Sequence, residues 1–190
     1  MGSVVAALQQ ADRAAFLLLN TWTNPLFDRL MPLLSRKEYA IPLAVALLIG
    51  VIAKGSRRAW LLVATAVGVL VLADQGANLV KAIVQRARPC QLLPGVHLLA
   101  GCTRSFAFPS NHATNMFAMA GVGWFGPRWL RWTLLLLAAA VAYSRVYLGV
   151  HYPGDVLGGA VLGGAVGWGA AHLVLRLGSR PASDVPSESA

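Results

Sequence analysis

Acidic residues are scarce in this chain, and their scarcity argues against several kinds of function. Only 7 of the 190 residues are Asp or Glu, against 16 Lys or Arg, and these carboxylates are scattered along the sequence. A two-metal hydrolase needs carboxylates or histidines clustered around its ions. We therefore expect chemistry that uses neither a metal ion nor another cofactor.

Charged residues of either sign are also few, whereas apolar residues are abundant. Charged residues make up 12% of the chain and hydrophobic residues 57%, a balance too apolar for an ordinary soluble domain. A helix needs about 20 mostly apolar residues to span a bilayer. The sequence therefore predicts an all-α, polytopic membrane helix bundle. We place its five transmembrane helices at about residues 39–53, 59–84, 110–125, 132–148 and 154–175.

The N-terminal segment differs from these five runs. Residues 4–19 form the pattern of an amphipathic helix, with apolar side chains on one face and polar side chains on the other. Asn24-Pro25 then precedes a second short helix that carries Asp28 and Arg29. Such helices lie on a membrane surface more readily than across it. We divide the chain into interfacial helices at 1–37, a transmembrane domain at 38–177 and a disordered cytoplasmic tail at 178–190.

The net charge of +9 does not indicate nucleic-acid binding, because the basic residues form short clusters between apolar runs. Several of these clusters fall on one side of the predicted bundle, and the positive-inside rule makes that side cytoplasmic. The chain is thus predicted to cross the cytoplasmic (inner) membrane, with its C-terminus inside. The clusters consist of Lys54, Arg57, Arg58, Arg128, Arg131, Arg176 and Arg180.

Three short blocks lie on the opposite side of the predicted bundle. They read KAIVQRARP at 81–89, FPSNH at 108–112 and SRVYLGVHYPGD at 144–155. Each begins or ends a long apolar run, so their side chains could meet at one rim. Together they supply cations to neutralise a phosphoryl group, one histidine to attack phosphorus, another to protonate the leaving oxygen, and a carboxylate to orient the attacker.

The spacing of these blocks resembles the type 2 phosphatidic acid phosphatase superfamily, whose pattern is K-x6-R-P, then P-S-G-H, then S-R-x5-H-x3-D. The resemblance implies that His151 attacks the phosphoryl group and forms a phosphohistidine, while His112 protonates the leaving group. It further implies that cationic side chains bind the phosphate. These are Lys81, Arg88 and Arg145.

The residues themselves add reasons for the remaining assignments. Asp155 lies four residues after His151, where a carboxylate can accept the other ring N–H and hold the tautomer. Ser110 follows Pro109 at an expected helix N-terminus, where it could cap the helix and backbone N–H groups could bind phosphate. Asn111 is the single departure from the family pattern, which has glycine there, and its amide could donate a further hydrogen bond.

Three further features lie outside the phosphate motifs. Cys90 and Cys102 flank the external loop at a spacing that a disulfide could close. Asp74, with Asn78 on the same helix face, could support Lys81 or a neighbouring helix. Small residues at four-residue intervals in the last apolar run suit close packing within the monomer, and we predict no oligomer. They are Gly159, Gly163, Gly167 and Ala171.

These observations favour a metal-independent lipid phosphatase whose site faces the periplasm or cell exterior and whose partners are the bilayer and a lipid substrate. Undecaprenyl diphosphate is the first choice, by resemblance to small bacterial members of the family. Phosphatidylglycerol phosphate, phosphatidic acid and the 1-phosphate of lipid A are close alternatives. A lipid phosphotransferase would use the same residues. A non-enzymatic lipid-phosphate binding or transport protein would need the cations, but would need neither histidine.

Overall fold

The computed structural model describes residues 2–52 and 56–178, and within them the chain forms eight helices and no strand. The helices, in chain order, are α1 (Gly2–Asn20), α2 (Pro25–Leu34), α3 (Lys37–Ile52), α4 (Arg57–Val84), α5 (Pro89–Leu92), α6 (Asn111–Gly123), α7 (Arg128–Tyr147) and α8 (Pro153–Gly178). The all-α prediction is confirmed, and each predicted apolar span corresponds to one helix. Gly178 ends α8, whereas the rest of the predicted tail lies outside the described residues.

Both ends of α4 are defined by capping residues. Ser56 caps the helix by accepting a hydrogen bond from the Ala59 backbone N–H at 3.2 Å. At the other end, Gln85 adopts a left-handed conformation with φ of 49°, which stops the helical pattern. Pro89 then opens the single turn α5. The first motif therefore begins in the last turn of α4 and continues into the loop beyond it.

The short helix α6 lies at the centre of the bundle, where it packs against α4, α7 and most extensively α8. A core of buried apolar side chains joins these helices, with Val69 from α4, Met119 from α6 and Leu134 from α7 among its members. The first motif lies at the C-terminal end of α4, the second at the start of α6, and the third between α7 and α8. The bundle therefore brings all three motifs to one end.

The close packing of α6 on α8 depends on glycine. A Cβ atom on Gly163 would overlap the carbonyl oxygen of Thr114, and one on Gly167 would overlap that of Ala118. A Cβ atom on Gly159 would lie 2.7 Å from the carbonyl oxygen of Ser110. The small-residue stripe therefore packs within the monomer, as predicted.

The N-terminal helices also pack against the bundle. Phe16 of α1 is fully buried and meets the Tyr152 ring edge to face, with 5.4 Å between the ring centres. The Asn20 side chain donates to the carbonyl oxygens of Tyr147 at 2.9 Å and His97 at 3.1 Å. Since α1 contacts both α7 and α8, it adjoins the loop that carries the third motif.

Within the described residues, two segments are long and apolar enough to cross a membrane, judged by length and composition. They are α4 with the residues that follow it, at Arg57–Leu92, and α8, at Pro153–Gly178. The count of five spans, the interfacial position of α1 and α2, and the domain division stay predictions.

Candidate active site

The three motifs line a single cavity of about 280 Å³ at the end of the bundle where they converge. The structure brings together six of the residues that the sequence singled out. These are Lys81, Arg88, Asn111, His112, Arg145 and His151. Asn78 and the loop residues Gly101, Thr103 and Ser105 complete the wall. Two predicted residues, Ser110 and Asp155, lie behind the wall and are fully buried.

A disulfide holds the loop that covers the cavity. Cys90 and Cys102 are bonded, with their Cα atoms 6.0 Å apart, and the bridge closes the loop between α5 and the cavity wall. Ser105, three residues beyond the bridge, accepts a hydrogen bond from Arg88 Nε at its carbonyl oxygen, at 2.8 Å. Its hydroxyl accepts a second from Arg88 Nη2 at 2.9 Å. The bridged loop therefore positions the guanidinium of Arg88.

Arg88 also determines which nitrogen of His151 can act as a nucleophile. Arg88 Nη1 lies 3.0 Å from His151 Nε2. Because a guanidinium has donors and no acceptor, Nε2 must carry the lone pair and Nδ1 the proton. The unprotonated nitrogen thus faces the cations of the cavity, as a nucleophile that attacks phosphorus requires.

The protonated nitrogen of His151 faces Asp155. Nδ1 lies 3.5 Å from Asp155 Oδ2, longer than a good hydrogen bond, and the same oxygen accepts the Tyr152 backbone N–H at 2.8 Å. Catalytic hydrogen bonds commonly tighten only when substrate binds. The turn that carries His151 requires glycine at 149, where φ is +78° and a Cβ atom would lie 2.8 Å from the His97 carbonyl oxygen.

The other two cations reach the cavity from different helices. Lys81 Nζ donates to the Phe106 carbonyl oxygen at 2.6 Å, and a neighbouring contact to Ala107 is 3.4 Å long. Arg145, at the end of α7, donates from Nη1 to the Ser35 hydroxyl just beyond α2. Both cations are thus held by the surrounding chain while they line the cavity, which organises positive charge before any anion arrives.

The structure corrects two sequence-based expectations at the start of α6. Ser110 occupies the N-cap position, but its hydroxyl makes no capping bond and has no partner among the described residues. Asn111 does not offer its amide N–H groups to the cavity. Its Nδ2 donates to Asp74 Oδ1 at 2.9 Å and to Asn78 Oδ1 at 2.8 Å, so both amide hydrogens are already used.

Asp74 joins α4 to α6 through this amide network. Besides Asn111, it accepts hydrogen bonds from Asn115 Nδ2 at 3.2 Å and from Asn78 Nδ2 at 3.2 Å. The hypothesis that Asp74 supports a neighbouring helix agrees with these contacts. The network fixes the side chain of Asn111 where the family pattern has none, so its effect on the cavity is one of shape.

Three residues beside the cavity were given no specific role in the site from the sequence. Arg86 Nη1 donates to Asp155 Oδ1 at 2.7 Å, and Arg86 Nη2 donates to Asp12 Oδ2 at 2.6 Å. Ser35 binds Arg145. Arg86 lies within the first motif, so the need of a buried Asp155 for a cationic partner could have identified it. Asp12 and Ser35 gave no local signal.

The groups that face the cavity suit a phosphate more than a metal ion. They are cations, imidazoles and neutral polar groups, which bind an anion by charge and hydrogen bonding. Within residues 2–52 and 56–178, no group of three or more His, Cys, Asp or Glu side chains could hold a metal ion.

Burial lowers the pKa of His151 well below its ordinary value, and the positive charges of Arg88 and Arg145 lower it further. We therefore expect the ring to titrate far below the ordinary imidazole pKa of about 6.5. Histidine ¹⁵N NMR of folded protein, with the denatured chain as reference, measures this shift. A midpoint at or above the reference value would contradict it.

The lowered pKa of His151 also makes folding stability depend on pH. Since the unfolded chain binds a proton at His151 more readily than the folded protein does, the folding stability falls as the pH drops below about 6.5.

Comparison with known proteins relates this chain to phosphatases. A family model described as the PAP2 superfamily matches residues 57–179. A lipid A 4'-phosphatase of Bacteroides thetaiotaomicron is 30% identical over 192 residues, which cover 96% of this chain and 85% of the relative. The undecaprenyl-diphosphatase BcrC of Bacillus subtilis is 36% identical over 63 residues, which cover 33% of each chain.

Two solved structures share the fold. The crystal structure of Aquifex aeolicus LpxE superposes with a TM-score of 0.65 at 25% identity and covers 85% of this chain and 92% of that one. A PAP2 type phosphatidylglycerolphosphate phosphatase from Bacillus subtilis superposes with a TM-score of 0.68, also at 25% identity, and covers 90% of this chain and 88% of that one. Both matches extend over nearly the whole helical bundle.

Proposed function

The chain belongs to the PAP2 superfamily and is a membrane lipid phosphatase, and from this premise we propose that it removes a phosphate from lipid A or a closely related glycolipid. The similarity to a lipid A 4'-phosphatase over 96% of the chain supports this choice. It moves lipid A ahead of undecaprenyl diphosphate, the first choice from sequence. The charge pattern supports a site at the outer face of the cytoplasmic membrane.

One observation carries the proposed chemistry. The lone pair of His151 Nε2 faces a cavity lined by Lys81, Arg88 and Arg145, while Nδ1–H faces a buried carboxylate. A binding or transport protein needs the cations but gains nothing from an oriented, neutral imidazole. The geometry therefore favours phosphoryl transfer through nitrogen over simple binding.

The first half of the reaction forms a phosphohistidine. The phosphate displaces Arg88 from Nε2, and the guanidinium then binds the phosphate oxygens together with Lys81 and Arg145. The lone pair of Nε2 attacks phosphorus while the bond from phosphorus to the lipid oxygen breaks. His112, as an imidazolium, gives its proton to the departing oxygen. Asp155 stabilises the positive charge that forms on the His151 ring.

The second half returns the enzyme to its starting state. His112, now neutral, takes a proton from a water molecule as the water oxygen attacks phosphorus. The bond between nitrogen and phosphorus breaks, inorganic phosphate leaves, and His151 regains its lone pair. If a lipid hydroxyl entered in place of water, the same steps would give phosphotransfer, so the acceptor distinguishes the two reactions.

Undecaprenyl diphosphate is the second candidate substrate. A relative named putative undecaprenyl-diphosphatase YbjG, from Escherichia coli, is 49% identical over 55 residues, although these cover only 28% of this chain. The high identity is thus confined to a short segment, while the longer match is to a lipid A phosphatase. Phosphatidylglycerol phosphate and phosphatidic acid remain the further alternatives.

The substrate proposal is tested by phosphate release in detergent with EDTA present. We would compare lipid A, undecaprenyl diphosphate, phosphatidylglycerol phosphate and phosphatidic acid at matched concentrations. The highest kcat/KM is expected for lipid A, and a higher value for undecaprenyl diphosphate would restore the second candidate. Transfer of label to an added lipid without phosphate release would indicate a phosphotransferase. Binding of all four lipids without turnover would favour the non-enzymatic alternative.

Replacing Asn111 by glycine, the residue of the family pattern, tests what the amide contributes. Because its N–H groups bind Asp74 and Asn78, we expect Asn111→Gly to keep turnover within about tenfold. The space that it frees should raise kcat/KM for bulkier headgroups relative to phosphatidic acid. Measurement of kcat/KM across the four lipids tests this, with Asn115→Gly as a control that also removes an amide bond to Asp74. An unchanged order of substrates would show that Asn111 does not shape the choice.

A further inference from the structure

A series of two ion pairs connects α1 to the start of α8, next to the loop that carries His151. It begins at Asp12 on α1, passes through Arg86 in the loop after α4, and ends at Asp155 in the first turn of α8. Each link is a short ion pair, 2.6 Å from Asp12 to Arg86 and 2.7 Å from Arg86 to Asp155. Neither Asp12 nor Arg86 lines the cavity.

The carboxylate of Asp155 divides its two oxygens between two tasks. Oδ1 accepts from Arg86, whereas Oδ2 accepts the Tyr152 N–H and faces His151 Nδ1. The side chain is completely buried, so its charge needs a permanent partner to remain ionised. Arg86 supplies this partner on the side away from the imidazole, which leaves Oδ2 available to the ring.

Arg86 is itself held from two further directions. Its second terminal nitrogen donates to Asp12, and its guanidinium lies over the ring of Tyr152 at 4.2 Å from the ring centre. A planar fork with separate donors can join two carboxylates in one fixed arrangement, which a lysine cannot do. Arg86 is thus fixed as a spacer between Asp12 and Asp155.

Asp12 also binds the backbone at the start of α8 directly. Its Oδ1 accepts the Gly154 N–H at 2.7 Å, at the start of α8 between His151 and Asp155. A Cβ atom on residue 154 would lie 2.7 Å from Asp12 Oδ2, so glycine is needed for this approach. The same carboxylate therefore fixes both the guanidinium behind Asp155 and the turn that carries it.

We propose that Asp12 and Arg86 are positioning residues that hold Asp155, and through it His151, in the orientation needed for attack on phosphorus. This proposal rests on the proposed role of His151 as the nucleophile and makes α1 a working part of the active site. The simpler alternative is that the ion pairs only fasten α1 to the bundle.

The test compares two carboxylates that bind the N-terminal helices to the bundle at different places. Asp12→Asn and Arg86→Met remove one or both of the ion pairs, whereas Arg86→Lys keeps a positive charge at position 86. The matched control is Asp28→Asn. Asp28 also binds a distant part of the bundle, with Tyr147 Oη at 2.6 Å and His97 Nε2 at 2.9 Å, but does not contact Asp155. Thermal unfolding in detergent measures how much each variant loosens the fold.

We expect Asp12→Asn and Arg86→Met to lower kcat by about 10–100-fold. Mutation of the group that orients a metal-binding histidine by a hydrogen bond has an effect of this size. KM should change little, because the three phosphate-binding cations are untouched. Arg86→Lys should recover part of the loss, and Asp28→Asn should keep wild-type kcat. In an Asp155→Asn background, Arg86→Met should cause no further loss. Equal effects of Asp12→Asn and Asp28→Asn, or a full additional loss in that background, would overturn the proposal.

A second measurement does not depend on turnover. In protein labelled with ¹⁵N-histidine, the Nδ1–H proton of His151 should be protected from exchange in the wild type and in Asp28→Asn. It should exchange faster with water in Asp12→Asn, and the same exchange rate in all three proteins would refute the link. Absence of phosphate release by the wild type would overturn the proposed function, while this readout would still decide the role of Asp12.

Discussion

Replacing His151 by alanine is expected to abolish phosphate release. The change removes the atom that bonds to phosphorus, and loss of a nucleophile lowers kcat by about 10⁴–10⁶-fold in enzymes that use covalent intermediates. The mutant should still bind lipid phosphate, because Lys81, Arg88 and Arg145 remain. Phosphate release from the preferred lipid measures the first effect, and inhibition of lipid binding by inorganic phosphate measures the second.

The matched control for this change is His172→Ala. His172 lies near the C-terminal end of α8, away from the cavity, and stacks on Trp168 at 4.8 Å between ring centres. Its loss removes an imidazole without touching the three motifs, so turnover should persist. An acid-labile ³²P label on the wild type and on His172→Ala, absent from His151→Ala, would identify the phosphohistidine. Full turnover in His151→Ala would rule out the mechanism.

The second large effect is expected at Gly163. An alanine Cβ there would overlap the Thr114 carbonyl oxygen, and a helix backbone cannot move aside as a side chain can. Overpacking of this kind lowers the free energy of unfolding by about 1–3 kcal/mol where neighbours can adjust. Since the Thr114 backbone cannot adjust in this way, we expect Gly163→Ala to lower the free energy of unfolding by about 3 kcal/mol or more. Because α6 carries His112 and α8 carries Asp155, separation of the two helices should reduce turnover as well.

The neighbouring glycine supplies the control for that experiment. Gly164 has no atom within 4 Å of the position where a Cβ would be placed, so alanine fits there. Removal of a mid-helix glycine should raise stability by about 0.5–1 kcal/mol, because alanine is the better helix former. Unfolding midpoints in detergent, followed by circular dichroism, compare the two variants. Equal midpoints for Gly163→Ala and Gly164→Ala would show that the helix contact is looser than described.

Much of the bundle could be predicted because its signals are local. The apolar runs define the helices, and Pro89, Pro109 and Pro153 lie at or beside the helix starts that follow the loops. The glycine spacing in α8 places small residues on one face, which indicates a close helix partner. These signals depend only on residues near one another in the chain, so they can be read without knowing the fold.

The N-terminal helices show the limit of such local signals. The amphipathic pattern of residues 4–19 correctly predicts a helix, but it does not identify the residues through which that helix binds the bundle. In the structure, Phe16 packs on Tyr152 and Asp12 binds Arg86, 74 residues further along the chain. A periodic pattern identifies a face of a helix, whereas the partner of that face depends on how all the helices pack.

Residue types and their spacing establish which chemical groups this protein can use, namely two histidines, a carboxylate and three cations at the ends of apolar helices. How these groups are held follows only from the folded bundle. It turned the Asn111 amide toward Asp74, 37 residues away, and joined Arg145 to Ser35, 110 residues away. The physical reason is that a residue type and its spacing set what a side chain can do, whereas its partners are set by the packing of helices distant in sequence.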